Sequence, residues 1–277
     1  MKGKMKAIVY HGQNDLRLEE LDIPEIGPKD VLLKTKYASI CGSDLHAVRR
    51  GPKWAKAEKQ IFGHEFAAEI AEVGSEITRY KVGDRVFGVN MAFCGECWYC
   101  RHQDYAHCTG VGDHYTGQGI PGACAQYFKF TDPESEYAFA PYLNSLMPIP
   151  DEMTDEQCAM MEPFGVGLGA VNKAGGKEGD TVVILGTGII GISSLQWCKA
   201  RGARVIVVGR GRHRLDIAKK CGADHVVSTL DGDCYEQVAA LTEETGWYWG
   251  KETTTVDAVI DCAGYPGSLN DALKIVK

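Results

Sequence analysis

Four cysteines, Cys94, Cys97, Cys100 and Cys108, fall within a stretch of fifteen residues, as CGECWYC followed by seven residues and a fourth thiol. Four thiolates this close in sequence can wrap one zinc ion tetrahedrally at about 2.3 Å and fill its coordination sphere. Such a site holds structure together and offers no position to a substrate. An iron–sulfur cluster, or a group of buried or redox-active thiols, are the competing readings. His102 and His107 are nearby donors that the cysteine set does not need.

Three further fragments carry donors for a second metal: CGSDLH from Cys41 to His46, GHE from Gly63 to Glu65, and the pair Glu162 and Pro163. Singly each is weak, because a Cys before Gly is usually a turn residue, a His–Glu pair is usually surface, and a Glu near a helix is usually solvated. Their joint occurrence around the cysteine cluster, ahead of a glycine motif, is far more specific. That motif is GTGIIG, in which Gly186, Gly188 and Gly191 enclose Thr187, Ile189 and Ile190 between the apolar run TVVIL and a helix-like segment. In this strand–turn–helix context the glycines permit a tight turn, close backbone approach to a pyrophosphate and helix–strand packing. The helix N-terminus then faces the phosphates.

The end of the next strand-like run, VIVVGRGRHRLD, decides the nucleotide. An NAD site offers an acidic side chain there, whereas this chain has Gly209, with Arg210, Arg212 and Arg214 available to pair with a 2'-phosphate. NADP is therefore expected over NAD, a solvated helix start being the other reading of the arginines. Asp261, Cys262, Ala263 and Gly264 close a later strand where the nicotinamide end should pass, with Cys262 packed rather than reactive.

Elements must position these groups. Up to about residue 150 the chain shows glycine turns and short alternating runs such as DVLLKTKYA, AAEIAEVG and DRVFGV, which read as a β-rich domain. After the proline-punctuated stretch from Pro141 to Pro150, DEMTDEQCAMMEP reads as a helix with an acidic first turn. Strands then alternate with helices: TVVILG, Ile189 to Arg201, RVIVVG, Arg212 to Cys221, HVVST and VDAVIDCAG. Alternation of that kind means βαβ units and a parallel sheet, so a domain boundary is expected near residue 150. GWYWGKETTT, from Gly246 to Thr255, reads as a surface loop.

The composition is that of an ordinary globular protein: 277 residues, 44% hydrophobic and 24% charged. A formal net charge of -7 argues against nucleic acid or an anionic membrane as partner. No secretory signal and no membrane span is read, so the expected location is the cytoplasm. The seven cysteines outside the cluster, Cys41 among them, are scattered through apolar sequence and most are expected to be reduced core thiols.

Taken together, these motifs resemble the zinc-containing medium-chain dehydrogenase/reductase superfamily, especially its sorbitol, threonine and butanediol dehydrogenase branch, and the similarity runs through the whole chain. The resemblance implies an α/β protein, with a β-rich GroES-like zinc-binding catalytic domain over residues 1–150 and a Rossmann doubly wound parallel sheet over 151–277. It implies that Cys41, His64 and Glu162 surround a catalytic zinc, with Glu65 as an exchanging ligand. Ser43 and His46 would form a proton relay, and Asp44 would orient His64. A Cys, His and carboxylate set suits zinc better than magnesium, and zinc held by three protein ligands keeps a position where a substrate oxygen is polarised.

The implied activity is hydride transfer between a secondary alcohol (a polyol, sugar alcohol or hydroxy amino acid) and NAD(P), in a homodimer or homotetramer. The alternatives are a non-catalytic nucleotide-binding protein of the same fold, a truncated inactive fragment, and a zinc-free reductase of the same superfamily. The family usually has Gly where this chain has Ala68 in GHEFAAE, a small replacement. Members also continue beyond a segment such as DALKIVK, so this sequence is expected to be a piece of a longer chain or to lack the last sheet portion. The functional expectation concerns the intact parent. Trp54 and Phe93 are candidate walls of the substrate pocket.

Overall fold

The computed structural model describes residues 1–51, 60–88, 93–110, 115–131, 133–134, 146–242, 246–248 and 250–277. They form two compact units, Met1–Glu162 and Pro163–Lys277. Trp54 lies outside the described residues, as do Pro141 and Trp249. No helix among the described residues is long and apolar enough to cross a membrane.

The first unit is antiparallel. Its five-stranded sheet runs β7–β3–β5–β6–β8, from β3 (Asp30–Ala38), β5 (Phe66–Val73), β6 (Arg85–Gly88), β7 (Tyr127–Thr131) and β8 (Leu146–Pro148). A smaller sheet orders β2–β1–β4, from β1 (Lys4–Gly12), β2 (Asp15–Asp22) and β4 (Gln60–Ile61). Alternation along β3 and β5 sends Val31, Leu33, Phe66, Ala68 and Ile70 into one core with Phe128 and Phe130. Ala68 is fully buried there, packed between partners on β3 and β6. Among the described residues, three short α-helices lie wholly in this unit: α1 (Gly42–Arg50), α2 (Trp98–Arg101) and α3 (Asp155–Ala159).

The acidic helix start falls four residues later than the pattern suggested. Thr154 caps α3 by accepting from the Gln157 N–H at 3.2 Å, while Gln157 accepts from the Thr154 N–H at 2.9 Å. This reciprocal box, rather than the acids Asp151 and Glu152, selects the start. Arg85 fastens the helix to β6 through Asp155 at 2.8 Å and the Met153 carbonyl at 2.9 Å.

Helix α4 (Met161–Ala174) opens with Met161 and Glu162 in the first unit and otherwise belongs to the second. Its sequence, EPFGVGLGA, carries too many glycines to read as a helix. Within the second unit the reason is packing against α5 (Ile189–Ala200): a Cβ on Gly167 would lie 2.2 Å from Ser193 Oγ, and Ser193 Oγ and Trp197 Nε1 both donate to the Phe164 carbonyl. Gly167→Leu is expected to destabilise the protein by about 1–3 kcal/mol through overpacking, read as a lowered midpoint in urea.

The second unit carries a parallel sheet ordered β11–β10–β9–β14, from β9 (Thr181–Leu185), β10 (Arg204–Gly209), β11 (His225–Ser228) and β14 (Ala258–Asp261). Both faces are covered, so β9 and β10 are apolar at nearly every position. Val182, Ile184, Val205 and Val207 enter one core, and Val183, Leu185, Ile206 and Val208 the other. Helices α6 (Arg212–Lys220), α7 (Cys234–Ala239) and α8 (Ser268–Ile275) complete the layers. The segment expected to be a surface loop instead contains a hairpin, β12 (Gly246–Tyr248) paired with β13 (Lys251–Thr253).

Candidate zinc and nucleotide sites

The cysteine lobe is built by backbone donors. Cys97 opens α2 and its sulfur accepts from the Cys100 N–H at 3.4 Å; Cys94 Sγ accepts from the Cys97 N–H, and Cys108 Sγ from the Cys94 and Gly110 N–H groups, at 3.3–3.4 Å. The four sulfurs lie within 4.8 Å of one another, with Cys94 3.6 Å from Cys108 and 3.9 Å from Cys100. Those separations match the edge of about 3.8 Å that zinc–sulfur bonds of about 2.3 Å impose on a tetrahedron. They are too short to enclose a cluster of several irons and too long for a disulfide. Burial pushes the Cys100 thiol up to about 12, while the N–H groups of Cys100 and Thr109 pull Cys97 down to about 6. Holding all four as thiolates therefore calls for a cation.

The two histidines are engaged elsewhere, His102 stacked on Trp98 at 4.0 Å and His107 bonded to Asp104 at 2.8 Å. Phe93, considered for a pocket wall, is buried among these cysteines against Tyr105. All eleven cysteines are free; outside the cluster Cys158, Cys198 and Cys234 are buried, and Cys41, Cys124, Cys221 and Cys262 half-buried.

The second donor set gathers at strand and helix ends. Cys41 is the residue before α1, and the carboxylate of Asp44, three residues on, accepts from the Cys41 N–H at 3.0 Å. The CxxD spacing is thus a helix cap as well as a source of ligands. His64 and Glu65 lie just before β5 and are 3% and 4% exposed. The pairing of β3 with β5 places Ala38 opposite Phe66, so Ser39 stands beside Glu65 and donates its hydroxyl to that carboxylate. Cys41, His64 and Glu65 each aim one donor atom into a common space within 4.8 Å.

Asp44 Oδ1 stands 3.7 Å from His64 Nδ1, too far for a hydrogen bond, and both atoms are buried without a partner, as is Ser43 Oγ. Buried polar atoms left unpaired are costly, and a cation held by the neighbouring donors would offset that cost. The borderline-soft donors fit zinc. Glu162 does not join the tight set, but burial raises its carboxyl and it feels the charges of His64, Glu65 and Asp44. Burial likewise pushes up the Cys41 thiol and the Asp44 carboxyl. His46, on α1, is exposed.

Two residues of this site carry no motif. Ser39 is brought in by strand register, and Tyr115 lies against His64 with ring centroids 5.6 Å apart. Burial raises the Tyr115 phenol, with Glu162, Cys41, Asp44 and Glu65 adding to the shift.

In the second unit a cleft of about 660 Å³ opens at the carboxyl ends of the strands, lined by Gly186, Thr187, Gly188, Gly209, Arg210 and Arg214 among others. It sits where β9 and its neighbours diverge, the expected crevice of an open α/β sheet. Gly186 has φ +110°, a Cβ on Gly191 would lie 2.1 Å from the Gly186 carbonyl, and Gly188 faces open space. Each glycine therefore meets a separate demand: turn, helix packing and free approach to the backbone. Ile189 is exposed and Ile190 half-buried at the start of α5, which no side chain caps.

A Cβ on Gly209 would come within 2.6 Å of the Thr187 side chain, which would have to shift for any larger residue at the end of β10. Arg212 turns to Asp231 at 3.3 Å, leaving Arg210 and Arg214 at the cleft. Burial would raise the Asp261 carboxyl, but the Ser268 hydroxyl and the Ala263 and Gly264 N–H groups donate to it and hold it below its usual range. Thr187, Thr229, Leu230 and Tyr265 also line the cleft and were not legible as ligands in advance.

Comparison with known proteins agrees with this architecture. Residues 27–141 match the family described as alcohol dehydrogenase GroES-like domain, and residues 190–277 that described as zinc-binding dehydrogenase. Sorbitol dehydrogenase of Bacillus subtilis (strain 168) is 34% identical over 276 residues, covering 99% of this chain and 72% of the relative. L-threonine 3-dehydrogenase of Rhizobium etli (strain CIAT 652) is 36% identical over 261 residues, covering 91% and 70%. A zinc-binding dehydrogenase structure from Sinorhizobium meliloti 1021, bound to NADP, superposes with TM-score 0.84 at 27% identity, covering 99% of this chain and 74% of the other. Donor sets, nucleotide cleft and relatives converge, and the chain belongs to the zinc-containing medium-chain dehydrogenase/reductase superfamily, in its sorbitol, threonine and butanediol dehydrogenase branch.

Proposed function

We propose that this zinc-dependent, NAD(P)-linked oxidoreductase interconverts a secondary alcohol, of the polyol, sugar-alcohol or hydroxy-amino-acid type, and its ketone at the Cys41–His64 centre. The observation that carries the reading is the convergence of Cys41, His64 and Glu65 donor atoms within 4.8 Å in one buried place. Cys41 and His64 would hold the metal, with Glu162 and Glu65 exchanging as the carboxylate ligand, and the Asp44 carboxylate, 3.7 Å from His64 Nδ1, would orient that ring by its charge. When bound, zinc would supply Lewis acidity that lowers the pKa of a substrate hydroxyl, and a nicotinamide would supply the hydride acceptor.

The protein's own residues handle the proton. Ser43 Oγ, buried and unpaired, accepts the substrate's hydroxyl proton in a hydrogen bond and donates its own to His46, three residues along the same helix face. Exposed His46 releases it to solvent. The thiolates of Cys94, Cys97, Cys100 and Cys108 hold a second zinc with a structural role. A small-molecule substrate, a cytoplasmic location and a homodimer or homotetramer complete the proposal. Incubating the protein with zinc, either nicotinamide cofactor and a panel of polyols, threonine, butanediol and simple alcohols tests it. Formation of reduced cofactor with a secondary alcohol is expected, and its absence across the panel would refute the reading.

For the cofactor, NADP is proposed over NAD. Gly209 offers no acidic side chain to the ribose, and Arg210 and Arg214 stand at the cleft. Arg210→Ala is expected to lower kcat/KM for NADP about 10-fold, the loss of one charge-assisted hydrogen bond, and to affect NAD far less. A wild-type specificity clearly favouring NAD would overturn the preference.

A further inference from the structure

Two carboxylates, Glu65 and Glu162, stand as candidates for a single place at the Cys41–His64 centre. A zinc held by a thiolate, an imidazole and one carboxylate keeps its fourth position for an outside oxygen, so the two compete. Glu65 is in the tight donor set with Cys41 and His64, and Glu162 is outside it.

The segments that deliver the two carboxylates meet at Ser39. Backbone pairing between β3 and the chain before β5 runs one residue past the Ala38–Phe66 pair, where the Ser39 N–H donates to the Glu65 carbonyl at 3.0 Å. That bond sets Ser39 beside Glu65 by backbone alone, so the hydroxyl is not needed to join the two segments. The hydroxyl instead donates to Glu65 Oε2. Its second neighbour is the Ala159 carbonyl, 3.4 Å away, in the last residue of α3 and three residues before Glu162. A serine has one hydroxyl proton to give, and a carboxylate is the stronger acceptor, so Glu65 receives it. Glu65 is only 4% exposed, which leaves water poorly placed to replace that bond.

We propose that Ser39 is a positioning residue that selects Glu65 over Glu162 as the metal's carboxylate ligand. Its hydroxyl holds the Glu65 side chain in the donor set; by turning to the Ala159 carbonyl it releases Glu65 and leaves the place to Glu162. The inference rests on the metal centre proposed above and deepens it. Hydrogen bonds of this kind, made to the ligand and not to the metal, commonly carry 10- to 100-fold of a site's metal affinity.

The test is a cycle of zinc affinities, measured by chelator competition with neither substrate nor cofactor present, for the zinc that Cys41→Ser loses. Glu65→Gln and Glu162→Gln are each made in the wild type and in Ser39→Ala, with circular dichroism to confirm folding. In the wild type, Glu65→Gln is expected to weaken zinc about 10-fold and Glu162→Gln to change it little. Ser39→Ala alone should weaken zinc about 10-fold and reverse the order, so that Glu162→Gln now costs more than Glu65→Gln. Ser39→Thr, which keeps the hydroxyl, should restore the wild-type order. A merely structural Ser39 would lower affinity alike in every background and leave the order as it was. An unreversed order in Ser39→Ala, or a reversed one in Ser39→Thr, would overturn the assignment. A wild type that takes up zinc at the four cysteines and nowhere else would overturn the metal centre itself, and that failure shows before any Ser39 variant is made.

Discussion

Cys41→Ser is expected to lower kcat/KM for the alcohol by on the order of 10³-fold or more while leaving the protein folded. The exchange is nearly isosteric, and Cys41's structural duty as the residue before α1 is met by its backbone, whose N–H is taken by Asp44 at 3.0 Å. What changes is the ligand: a hydroxyl replaces a thiolate in a set whose geometry is otherwise intact, and with the metal goes the lowering of the substrate's hydroxyl pKa. His64→Ala should lose activity to a similar degree. Its side chain is 3% exposed, so this variant also leaves a cavity and costs some stability. Steady-state kinetics, metal content and a thermal melt of Cys41→Ser separate the effects. Near-normal turnover in a variant lacking the metal at this centre would contradict the role given to Cys41.

Cys108→Ser should show the opposite profile, with stability taking the larger loss. Cys108 is 4% exposed, its sulfur accepts two backbone N–H groups, and it packs with Phe93 and Cys100 in a small cluster that has few other apolar members. Metal affinity in such a lobe is folding free energy. Losing a few kcal/mol of it lowers Tm by about 10 °C in a protein of this size class, and the lobe should become sensitive to proteolysis. A melt of Cys108→Ser indistinguishable from that of the wild type would refute a structural zinc there.

The nucleotide unit was readable because both faces of its sheet are covered. Strands β9 and β10 are therefore continuous apolar runs, and GTGIIG marks the turn between strand and helix. Two of the helices that the sequence pattern did not show have specific causes. In α4, Gly167 is dictated by the approach of Ser193, so a packing requirement hides the helical pattern. Helix α7 is only six residues long and is signalled chiefly by Asp233, which caps it by accepting from the Glu236 N–H. The hairpin of β12 and β13 has no clear alternation over strands of three residues each.

At the metal centre, Cys41, His64 and Glu65 stood out in the sequence because ligands must be of particular types. Ser39 and Tyr115 did not, because their places follow from register and close approach. Ser39 meets Glu65 through the pairing of Ala38 with Phe66, and Tyr115 meets His64 through contacts that only Gly63, Gly117 and Gly122 permit. The nucleotide cleft shows the same division. Its glycines could be read in advance, but the close approach of the Thr187 side chain to residue 209 appears only in three dimensions.

The most direct test of a zinc-dependent reaction at the Cys41–His64 centre is cofactor reduction by a secondary alcohol, measured on the zinc-loaded protein, after stripping the metal with a chelator, and after restoring zinc. Turnover is expected to disappear on stripping and to return with zinc. Turnover that persists undiminished in the metal-free protein would contradict a metal-centred reaction.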